Sequence, residues 1–263
     1  NGKWRYIVAP NDDLKTSQQD LCEKIPDALI HGAAHGFRPS RSIYTNAKNH
    51  VASRFVLNID IKNFFPSIKQ QECINILSKL GLDKDIIDKA KSICFLNGSL
   101  PQGAPTSPVL ANLYLHPFDV QIAKFSAENS LAYTRYADDL TFSGGDWLRE
   151  NTGLVVSYVD TVLAGYGLSR NILKTKLMPY YQRQEVTGLL VNGLKPRLSK
   201  KRRSAIYSLF KDREYRTLTE IELGIFNFVR DADSRAYNRI CKLFTEYKEV
   251  KDSIMSSMPE YVS

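Results

Sequence analysis

The chain has 263 residues, of which 43% are hydrophobic, so it can bury a substantial core as one large domain or a few subdomains. It carries 36 lysines and arginines against 28 acids, and this net charge of +8 suggests a polyanionic partner. No apolar run approaches the roughly 20 residues of a membrane span, and the four cysteines lack Cys-x-x-Cys spacing, so we expect a cytoplasmic protein with reduced thiols, no secretory leader and no membrane partner.

Residues 3–51 are predicted to form a strand, two helices and a basic loop. Lys3 to Pro10 favours a strand that the proline ends, and a turn or cap then precedes a helix over Leu14 to Ile25. His31 to Ser42 contains the breakers and cations typical of a loop, and Ser42 can cap a helix that runs to about Val51. Four cations in this region either face phosphate or lie on a solvated surface: Arg5, Lys15, Arg38 and Arg41.

Arg54 to Ile61 is the clearest strand in the sequence. Its odd-numbered residues from Phe55 onward are apolar and share one face, whereas the even-numbered residues, Asp60 among them, fall on the other. Asp60 is then an acid within a largely apolar strand. It is either a solvated strand end or a metal ligand that must meet other acids. Asn63 to Ser67 ends the strand and begins a helix.

Residues 69–115 predict two amphipathic helices, a shaped loop and a third helix. The first two helices cover Lys69 to Leu80 and Asp83 to Phe95. Three prolines and two glycines within Asn97 to Leu115 stiffen a loop whose backbone can approach a ligand closely, and a helix can follow Pro108. Gln102 beside bare backbone suits a flat base or sugar, although an ordinary loop-to-helix junction has the same composition.

Tyr133 to Ser143 reads as a hairpin with two adjacent acids, Asp138 and Asp139, at its tip. The aromatic and β-branched residues on both sides favour strands, and Asp-Asp favours a turn. Two carboxylates at close range resist joint ionisation unless a cation neutralises them. A solvated acidic turn is the alternative when this segment is considered alone.

The remainder of the chain predicts a helix, a strand and a basic helical segment. Thr152 to Gly165 is an amphipathic helix, and Glu185 to Asn192 is strand-like, with Gly188 as a bulge or close-contact point. From Leu198 onward the sequence is helical and basic, which by itself often means only a solvated face. The helical pieces are a first helix opened by Lys200, Lys201, Arg202 and Arg203, then Glu220 to Arg230, then Arg235 to Val250.

The three acids can act together if the strands pair. An antiparallel sheet can place the end of the Asp60 strand beside the hairpin that carries Asp138 and Asp139. Oxygen ligands without a supporting histidine or thiolate suit Mg²⁺ rather than zinc. Two Mg²⁺ about 3.5–4 Å apart can activate a hydroxyl and stabilise leaving pyrophosphate, which is nucleotidyl transfer. The backbone carbonyl of Ile61 is a further candidate ligand.

Five segments, taken in order, resemble the reverse transcriptase palm. Leu-Asn-Ile-Asp-Ile-Lys-Asn-Phe-Phe resembles the first acid motif, and Tyr-Ala-Asp-Asp resembles the second. Leu-Pro-Gln-Gly-Ala-Pro-Thr-Ser-Pro is similar to the template–primer loop, and Lys-Thr-Lys and Val-Thr-Gly-Leu are similar to the motifs that follow. Within this family, the Asn-Ala-x-x-His pattern at residues 46–50 and Val-Thr-Gly at residues 186–188 resemble signatures of retron reverse transcriptases.

The resemblance implies a role for each matching residue. Asp60, Asp138 and Asp139 correspond to the metal-binding acids, and Lys174, with Lys176 as the alternative, to a lysine that protonates pyrophosphate. For the incoming dNTP it implies Arg5 and Lys15 near the triphosphate, Phe65 under the sugar, Gln102 beside the nucleotide, and Ala137 leaving room for the primer end. Phe65 has an equally ordinary alternative as a core phenylalanine. For primer and template it implies Thr187, Gly188, Asn46, His50 and the run from Lys200 to Arg203, with His50 structural or in contact with RNA rather than catalytic.

The implied fold is α+β, a right-hand polymerase with a split β-α-β antiparallel palm sheet, helical fingers and a helical thumb. Fingers would cover residues 1–54 and 70–98, palm 55–69 and 99–194, and thumb 195–263. The implied activity is RNA-directed DNA synthesis from dNTPs with two Mg²⁺. Retron resemblance implies a structured non-coding RNA as template and primer, its branched cDNA product, an effector protein partner and anti-phage defence.

Several alternatives stay open at this point. The nearest are other bacterial reverse transcriptases, of the group II intron, diversity-generating or abortive-infection types. A non-catalytic RNA-binding scaffold that kept a palm is a different class, and the intact acids argue against it. A palm that makes cyclic nucleotides is a third possibility, for which the long basic C-terminal region has no use.

Overall fold

The computed structural model describes residues 7–211 and 217–244. Arg5 and the first half of the predicted strand over Lys3 to Pro10 lie outside the described residues, as does the end of the helix predicted to reach Val250. The strand prediction is wrong for residues 7–10, whose backbone is irregular and joins no strand of the sheet. In the described part of the chain, no helix is long and apolar enough to cross a membrane.

A four-stranded antiparallel sheet lies at the centre of the molecule. The strands are β1 (Phe55–Asp60), β2 (Ala132–Tyr136), β3 (Asp139–Gly144) and β4 (Lys176–Pro179), in the order β2-β3-β1-β4. This antiparallel sheet among helices confirms the predicted α+β class. β4 was not predicted, because four residues that end in proline carry too short a pattern to read as a strand.

β1 is shared by two hydrophobic cores. Phe55, Leu57 and Ile59 point into the first core, and Val56 points into the second, as the alternation of the sequence predicts. A single strand therefore ties the two halves of the interior together. The four cysteines are free, and the expectation of core thiols is confirmed for Cys73, Cys94 and Cys241, whereas Cys22 is half-buried outside both cores.

Most helices before residue 166 pack around the first core, whereas the second of them, over residues 43–48, packs against the second core. Predicted helices are confirmed near residues 12–23, 43–48, 70–79, 84–93 and 152–165, and Ser42 caps the second of them with a complete capping box. The helices are α1 (Asp12–Glu23), α2 (Ile43–Lys48), α3 (Phe64–Ser67), α4 (Gln70–Lys79), α5 (Lys84–Ile93), α6 (Thr106–Tyr114), α7 (His116–Glu128), α8 (Asp146–Glu150) and α9 (Thr152–Gly165).

Three details of these helices differ from the prediction. α6 begins at Thr106, so Pro108 lies in its first turn, where its missing N–H has no partner to lose. α7 was missed because it buries Asp119 and Ser126 beside Phe118 and Ile122, which blurs the apolar stripe. α8 was missed because five residues are too few for a periodic pattern.

The second core joins the C-terminal helices to β1 and α2. It contains Ala47, Val56 and Met178 together with residues of α10 (Lys200–Phe210), α11 (Glu220–Ala232) and α12 (Ser234–Cys241). The strand predicted over Glu185 to Asn192 is wrong. The segment folds back as a hairpin of β5 (Glu185–Val186) and β6 (Leu189–Leu190), because Thr187 and Gly188 both have positive φ, of 46° and 83°.

Candidate active site

The end of β1 and the tip of the β2/β3 hairpin meet at one edge of the sheet. Asp60 lies directly opposite Asp139 in the register of β1 and β3, and Tyr136 lies opposite Asp139 across the hairpin. Ala137 and Asp138 form the two-residue turn, and Ala137 adopts a left-handed φ of 55°. Pairing alone therefore gathers acids that are far apart in the sequence.

The backbone beyond β1 is tied to the same tip. The N–H of Ile61 donates to the carbonyl oxygen of Asp138 at 2.9 Å. In an extended strand the N–H and C=O of one residue point to the same neighbour, so the Ile61 carbonyl faces the acidic turn. The structure thus places both predicted kinds of oxygen, carboxylate and carbonyl, at one edge.

Lys174 forms an ion pair with one acid of this edge. Its Nζ lies 2.6 Å from Oδ2 of Asp60, whose side chain is only 9% exposed. The short helical turn Ile172–Lys174 is anchored beside β1, because the N–H of Asn171 donates to the Asp60 carbonyl oxygen at 2.7 Å. The ammonium group is therefore held against the most buried of the three acids.

The charges of the acids reach one another. Burial by neighbouring atoms, then the charges of Asp138 and Asp60, raise the pKa of Asp139 to about 6, while Lys174 lowers it. Because much of Asp139 is open to solvent, we attribute the raised pKa mainly to the charges of Asp138 and Asp60. Mutual repulsion of this kind is what a bound cation relieves.

The donor set fits Mg²⁺ in chemistry but is not preassembled. Carboxylate and carbonyl oxygens, without a thiolate or imidazole at the edge, are the ligands of a hard cation. Within residues 7–211 and 217–244, no three His, Cys, Asp or Glu side chains stand together at ligand spacing. One oxygen of Asp60 is engaged by Lys174 in this arrangement.

Comparison with known proteins gives this edge its context. Residues 1–203 match the family described as reverse transcriptase (RNA-dependent DNA polymerase). Retron Ec83 reverse transcriptase of Escherichia coli is 33% identical over 98% of this chain and 86% of its own length. Retron Ec86 reverse transcriptase of the same species is 31% identical over 90% of this chain and 75% of its own length.

The chain belongs to the retron reverse transcriptases. It is therefore an RNA-directed DNA polymerase, and the recognition made from the motifs is confirmed. A relative in Myxococcus xanthus, Retron Mx162 reverse transcriptase, is 33% identical over 73% of this chain and 45% of its own length.

Solved structures add support for the fold. A telomerase from Candida tropicalis superposes with a TM-score of 0.55 at 11% identity, over 95% of this chain and half, 50%, of that one. A foamy viral protease–reverse transcriptase superposes with a TM-score of 0.51 at 20% identity, over 88% of this chain and 34% of that one. At these identities the likeness concerns the fold alone, and it agrees with the α+β polymerase architecture of a reverse transcriptase.

The residues expected around the nucleotide of this reverse transcriptase are spread over several elements. Phe65 is half-buried in α3, its ring centroid 5.1 Å from that of Phe64, and it packs against the first core. Ala137 is buried in the acidic turn, whereas Lys15 lies exposed on α1. Among the described residues, Lys15 forms no hydrogen bond or ion pair with the acids, so its predicted position beside a triphosphate stays a prediction.

Gln102 is covered by the start of the described chain. Its carbonyl oxygen accepts a hydrogen bond from the N–H of Val8 at 2.8 Å. At Gly103, with φ of 121°, an added Cβ would lie 2.8 Å from the Val8 carbonyl oxygen. Glycine is therefore required at this position by both conformation and close approach, and the loop that carries Gln102 is fixed to residues 7–8.

The two retron signatures contact each other. Asn46 is fully buried in α2, and its amide nitrogen lies 3.5 Å from the hydroxyl of Thr187. That hydroxyl also donates to the carbonyl oxygen of Ile43 at 3.2 Å. The Asn-Ala-x-x-His helix therefore supports the Thr187–Gly188 turn from one side.

Of the two roles predicted for His50, structural or in contact with RNA, its position in the structure fits the structural one. It has no exposed surface, and its ring nitrogens share hydrogen bonds with Ser143 of β3 at 2.8 Å and Thr134 of β2 at 2.7 Å. Burial, and the charge of His35, lower its pKa to about 3. A neutral imidazole can donate through one nitrogen and accept at the other, which suits two hydroxyl partners, and a ring with no exposed surface cannot touch RNA in this conformation.

The basic run at the start of α10 divides between different surfaces. Arg202 donates to the Gly188 carbonyl oxygen at 2.8 Å, while Lys201 is exposed to solvent. Lys200 and Arg203 face α12 across a cavity of about 410 Å³, where Arg239 stacks on the Tyr207 ring at 4.5 Å. The residues that line this cavity include Lys200, Arg203, Ser204, Tyr207, Arg235 and Arg239.

Arg38 is committed to the protein. It forms a bidentate pair with Asp27, at 2.8 and 2.6 Å, and donates to the carbonyl oxygens of His31 and Ala34. Both interpretations offered for Arg38, phosphate contact and solvated surface, are wrong, because its side chain is only 8% exposed and its donors are used internally. Arg41 remains exposed.

Sequence reasoning missed Arg135, which lies within the hairpin itself. It is fully buried, and a fully buried Asp119 pairs with it through three hydrogen bonds. The available signal was an arginine inside a strand of otherwise apolar and aromatic character, together with an aspartate inside a helix of apolar neighbours.

Proposed function

We propose that this reverse transcriptase copies a dedicated structured non-coding RNA, which serves as both template and primer, into DNA from dNTPs with two Mg²⁺. Synthesis begins at a 2′-hydroxyl and gives a branched RNA–DNA molecule. The observation that carries the proposal is the register that sets Asp60 opposite Asp139 beside the Asp138 turn, in a chain whose relatives are named retron reverse transcriptases.

In this proposal the metals are held by residues at the acidic edge. Carboxylates of Asp60, Asp138 and Asp139 and the carbonyl of Ile61 bind them, and Lys174 turns from Asp60 toward the departing pyrophosphate, to which it gives a proton. When bound, the ions supply charge neutralisation at the attacking and leaving oxygens. In this proposal Lys174 is both the counter-ion of Asp60 and the acid of the reaction.

The nucleotide pocket is proposed around the same edge. Phe65 packs under the deoxyribose and excludes a 2′-hydroxyl, Gln102 lies beside the base or sugar, and Ala137 leaves room for the primer end. Arg5 and Lys15 contact the triphosphate. The half-buried ring of Phe65 and the proximity of Ala137 to Asp138 support the first and third assignments.

The RNA and the growing duplex are proposed to bind on the C-terminal side. Thr187 and Gly188 contact the primer, supported by Asn46 from α2, and Lys200, Lys201, Arg202 and Arg203 contact phosphates. Support comes from the cavity between α10 and α12, since in the described chain none of its four cations forms an ion pair. Unpaired cations that face one cavity favour a polyanion, and such contacts make binding depend on salt.

The division of the chain follows from these roles. We propose fingers over residues 1–54 and 70–98, palm over 55–69 and 99–194, and thumb over 195–263. We further propose a cytoplasmic defence against phage, in which the RNA–DNA product works with an effector protein. This biological role is supported by the retron family alone.

Two measurements test the proposed function. Primer extension on varied RNA templates compares the parent with Asp138→Asn, and the parent is expected to incorporate dNTPs while the variant does not. Equal incorporation by both proteins contradicts the metal-binding role proposed for Asp138. Incorporation by neither protein contradicts the proposed synthesis and favours a non-catalytic RNA-binding scaffold.

The second measurement identifies the nucleic acid that co-purifies with the protein. Sequencing it before and after treatment with a 2′,5′-debranching enzyme is expected to reveal one RNA species joined to cDNA through a branch. Linear cDNA copied from many unrelated RNAs would contradict the dedicated RNA and the 2′-hydroxyl primer, while leaving RNA-directed synthesis intact.

A further inference from the structure

Arg135 lies in the middle of β2 and is completely buried, together with its partner Asp119 on α7. Nε of Arg135 donates to Oδ1 of Asp119 at 2.9 Å, and Nη2 donates to Oδ2 at 2.6 Å. The Tyr133 hydroxyl donates to the same carboxylate at 2.7 Å. The pair is thus a fork-to-fork ion pair whose charges have no access to solvent.

The third arm of the guanidinium reaches the acidic turn. Nη1 of Arg135 donates to the Ala137 carbonyl oxygen at 3.2 Å and to Oδ1 of Asn112 on α6 at 2.9 Å. This carbonyl belongs to the peptide group that leads directly into Asp138. One buried side chain therefore connects a helix, a strand and the backbone immediately before an acid of the site.

Asn112 extends this connection to the other side of the turn. Its amide donates to the carbonyl oxygen of Gly36 at 2.9 Å. Gly36 packs so closely on the turn that an added Cβ would lie 2.8 Å from the Ala137 nitrogen. The turn, with its left-handed Ala137, is held between the Arg135 guanidinium and the Gly36 backbone.

A buried ion pair is a poor device for stability alone, because apolar residues of similar volume often serve as well or better. An apolar side chain cannot donate to the Ala137 carbonyl. We infer that Arg135, oriented by Asp119 and Asn112, is a positioning residue that fixes the Ala137–Asp138 turn and so sets the direction of the Asp138 carboxylate toward metal. This inference rests on the proposed role of Asp138 as a ligand.

The substitution Arg135→Lys distinguishes the positioning role of the guanidinium from its positive charge. An ammonium can still neutralise Asp119, but it lacks the planar fork that reaches the carboxylate, Asn112 and Ala137 at once. Arg38 gives a matched control, because it too forms a bidentate pair with an aspartate and donates to two backbone carbonyls. Those carbonyls belong to His31 and Ala34, outside the acidic turn.

The experiment compares Arg135→Lys and Arg38→Lys with the parent. Binding of Mn²⁺ is measured by electron paramagnetic resonance in the complex with a dideoxy-terminated primer–template and dNTP, and turnover is measured separately. We expect Arg135→Lys to lower Mn²⁺ affinity and kcat, each by about 10- to 100-fold, as second-layer residues at metal sites do, with KM for dNTP near that of the parent. Arg38→Lys is expected to keep the parent's Mn²⁺ affinity and kcat per folded molecule.

Folding is monitored by circular dichroism and thermal melting. If Arg135→Lys does not fold, Asn112→Ala decides, because it keeps the ion pair but releases the orientation of Nη1 and the tie to Gly36. Its Mn²⁺ affinity is expected to fall in the same direction. Parent-like Mn²⁺ affinity in a folded Arg135→Lys, or in Asn112→Ala, overturns the inference. Failure of the proposed function is distinct, since Asp138→Asn would then retain synthesis.

Discussion

The molecule contains two tight hairpins whose turns look alike but are supported differently. Each turn has two residues and places a non-glycine residue in the left-handed region, Ala137 at φ 55° and Thr187 at φ 46°. The β2/β3 turn is held from within by Arg135 of its own strand. The β5/β6 turn is held from outside, by α2 through Thr187 and by α10 through Arg202.

Because of this difference, we expect the Ala137–Asp138 turn to be rigid and the Thr187–Gly188 turn to move with the helices that contact it. The acidic turn depends on the first core and on a buried ion pair, so its geometry is independent of the C-terminal helices. The Thr187–Gly188 turn depends on α2 and on α10, and we propose that α10 binds nucleic acid, so the geometry of the turn changes when either helix moves. The geometry of the acidic turn is therefore set by the interior, whereas the turn that we propose to contact the primer takes its geometry from α2 and α10.

The largest effect is expected when Asp60, the acid opposite the first hairpin, is replaced. Asp60→Asn is expected to lower dNTP incorporation by about 1000-fold, because metal binding supplies several kcal/mol and each 1.4 kcal/mol is tenfold. Primer extension under single-turnover conditions measures this. Asp146→Asn, an exposed acid paired with Arg54, is the control, and an equal loss in both variants would contradict the assignment.

Acid is expected to loosen the first hairpin before the second. Burial holds the pKa of His50 at about 3, whereas in the unfolded chain it is about 6.5. The unfolded state then binds the extra proton, so the stability from His50 is complete above pH 6.5 and is lost as pH falls toward 3. Since His50 bonds only β2 and β3 hydroxyls, amide hydrogen exchange should rise there first.

His50→Gln provides the control for this pH dependence. It removes the titrating ring but keeps a donor and an acceptor, so the slope of unfolding free energy against pH between 6.5 and 4 should become shallower. His35, whose pKa is lowered to about 4 by burial and nearby arginines, leaves a residual slope. An unchanged slope in His50→Gln would contradict the prediction.

The second hairpin is expected to respond to Gly188→Ala. The residue has φ of 83°, and an added Cβ would collide with the Arg202 guanidinium, so we expect a loss of about 1 kcal/mol from strain and displacement of Arg202. Affinity for a primer–template duplex, measured by filter binding at several salt concentrations, should fall. Gly98→Ala, at φ 72° with open space around it, controls for strain and should leave affinity unchanged.

The smallest effect is expected at the left-handed alanine of the first hairpin. Ala137→Gly relieves the backbone strain of φ 55° in the folded state but raises the conformational entropy of the unfolded chain. These two contributions to the free energy of unfolding have opposite signs and are about 1 kcal/mol each. Thermal melting should therefore place the variant within about 1 kcal/mol of the parent. A much larger loss would mean that the Ala137 methyl group, and not the guanidinium beneath it, holds the turn.

The sequence was most informative where one local pattern decided the structure. Alternation in Arg54 to Ile61 predicted both faces of β1, and the flanks of Asp138 predicted the hairpin, since period-two patterning survives when each face meets a core. Thr152 to Gly165 has the bounds predicted for it. The prediction of one strand over residues 185–192 was wrong because the sequence lacks the glycine pair that usually indicates a tight turn. Thr187 adopts the first positive φ of the turn instead.

Parts of the candidate site depend on tertiary contacts that local patterns do not report. An arginine in a strand is ordinarily solvent-facing, and only the packing of α7 against β2 brings Asp119 to Arg135. Likewise, nothing in Lys200 to Arg203 indicates that Arg202 turns to Gly188 while Lys200 and Arg203 face α12. The roles predicted for individual residues toward metal, dNTP and RNA stay predictions until the variants above are measured.

The shared strand β1 has a consequence for how the protein comes apart. Neither core is complete without β1. Cutting the backbone near Leu194, an exposed residue, would therefore leave a C-terminal fragment whose apolar side chains no longer pack against β1. Such fragments should not survive alone but should reassociate when mixed, as a split protein does. Calorimetry of the intact chain should show one melting transition rather than two.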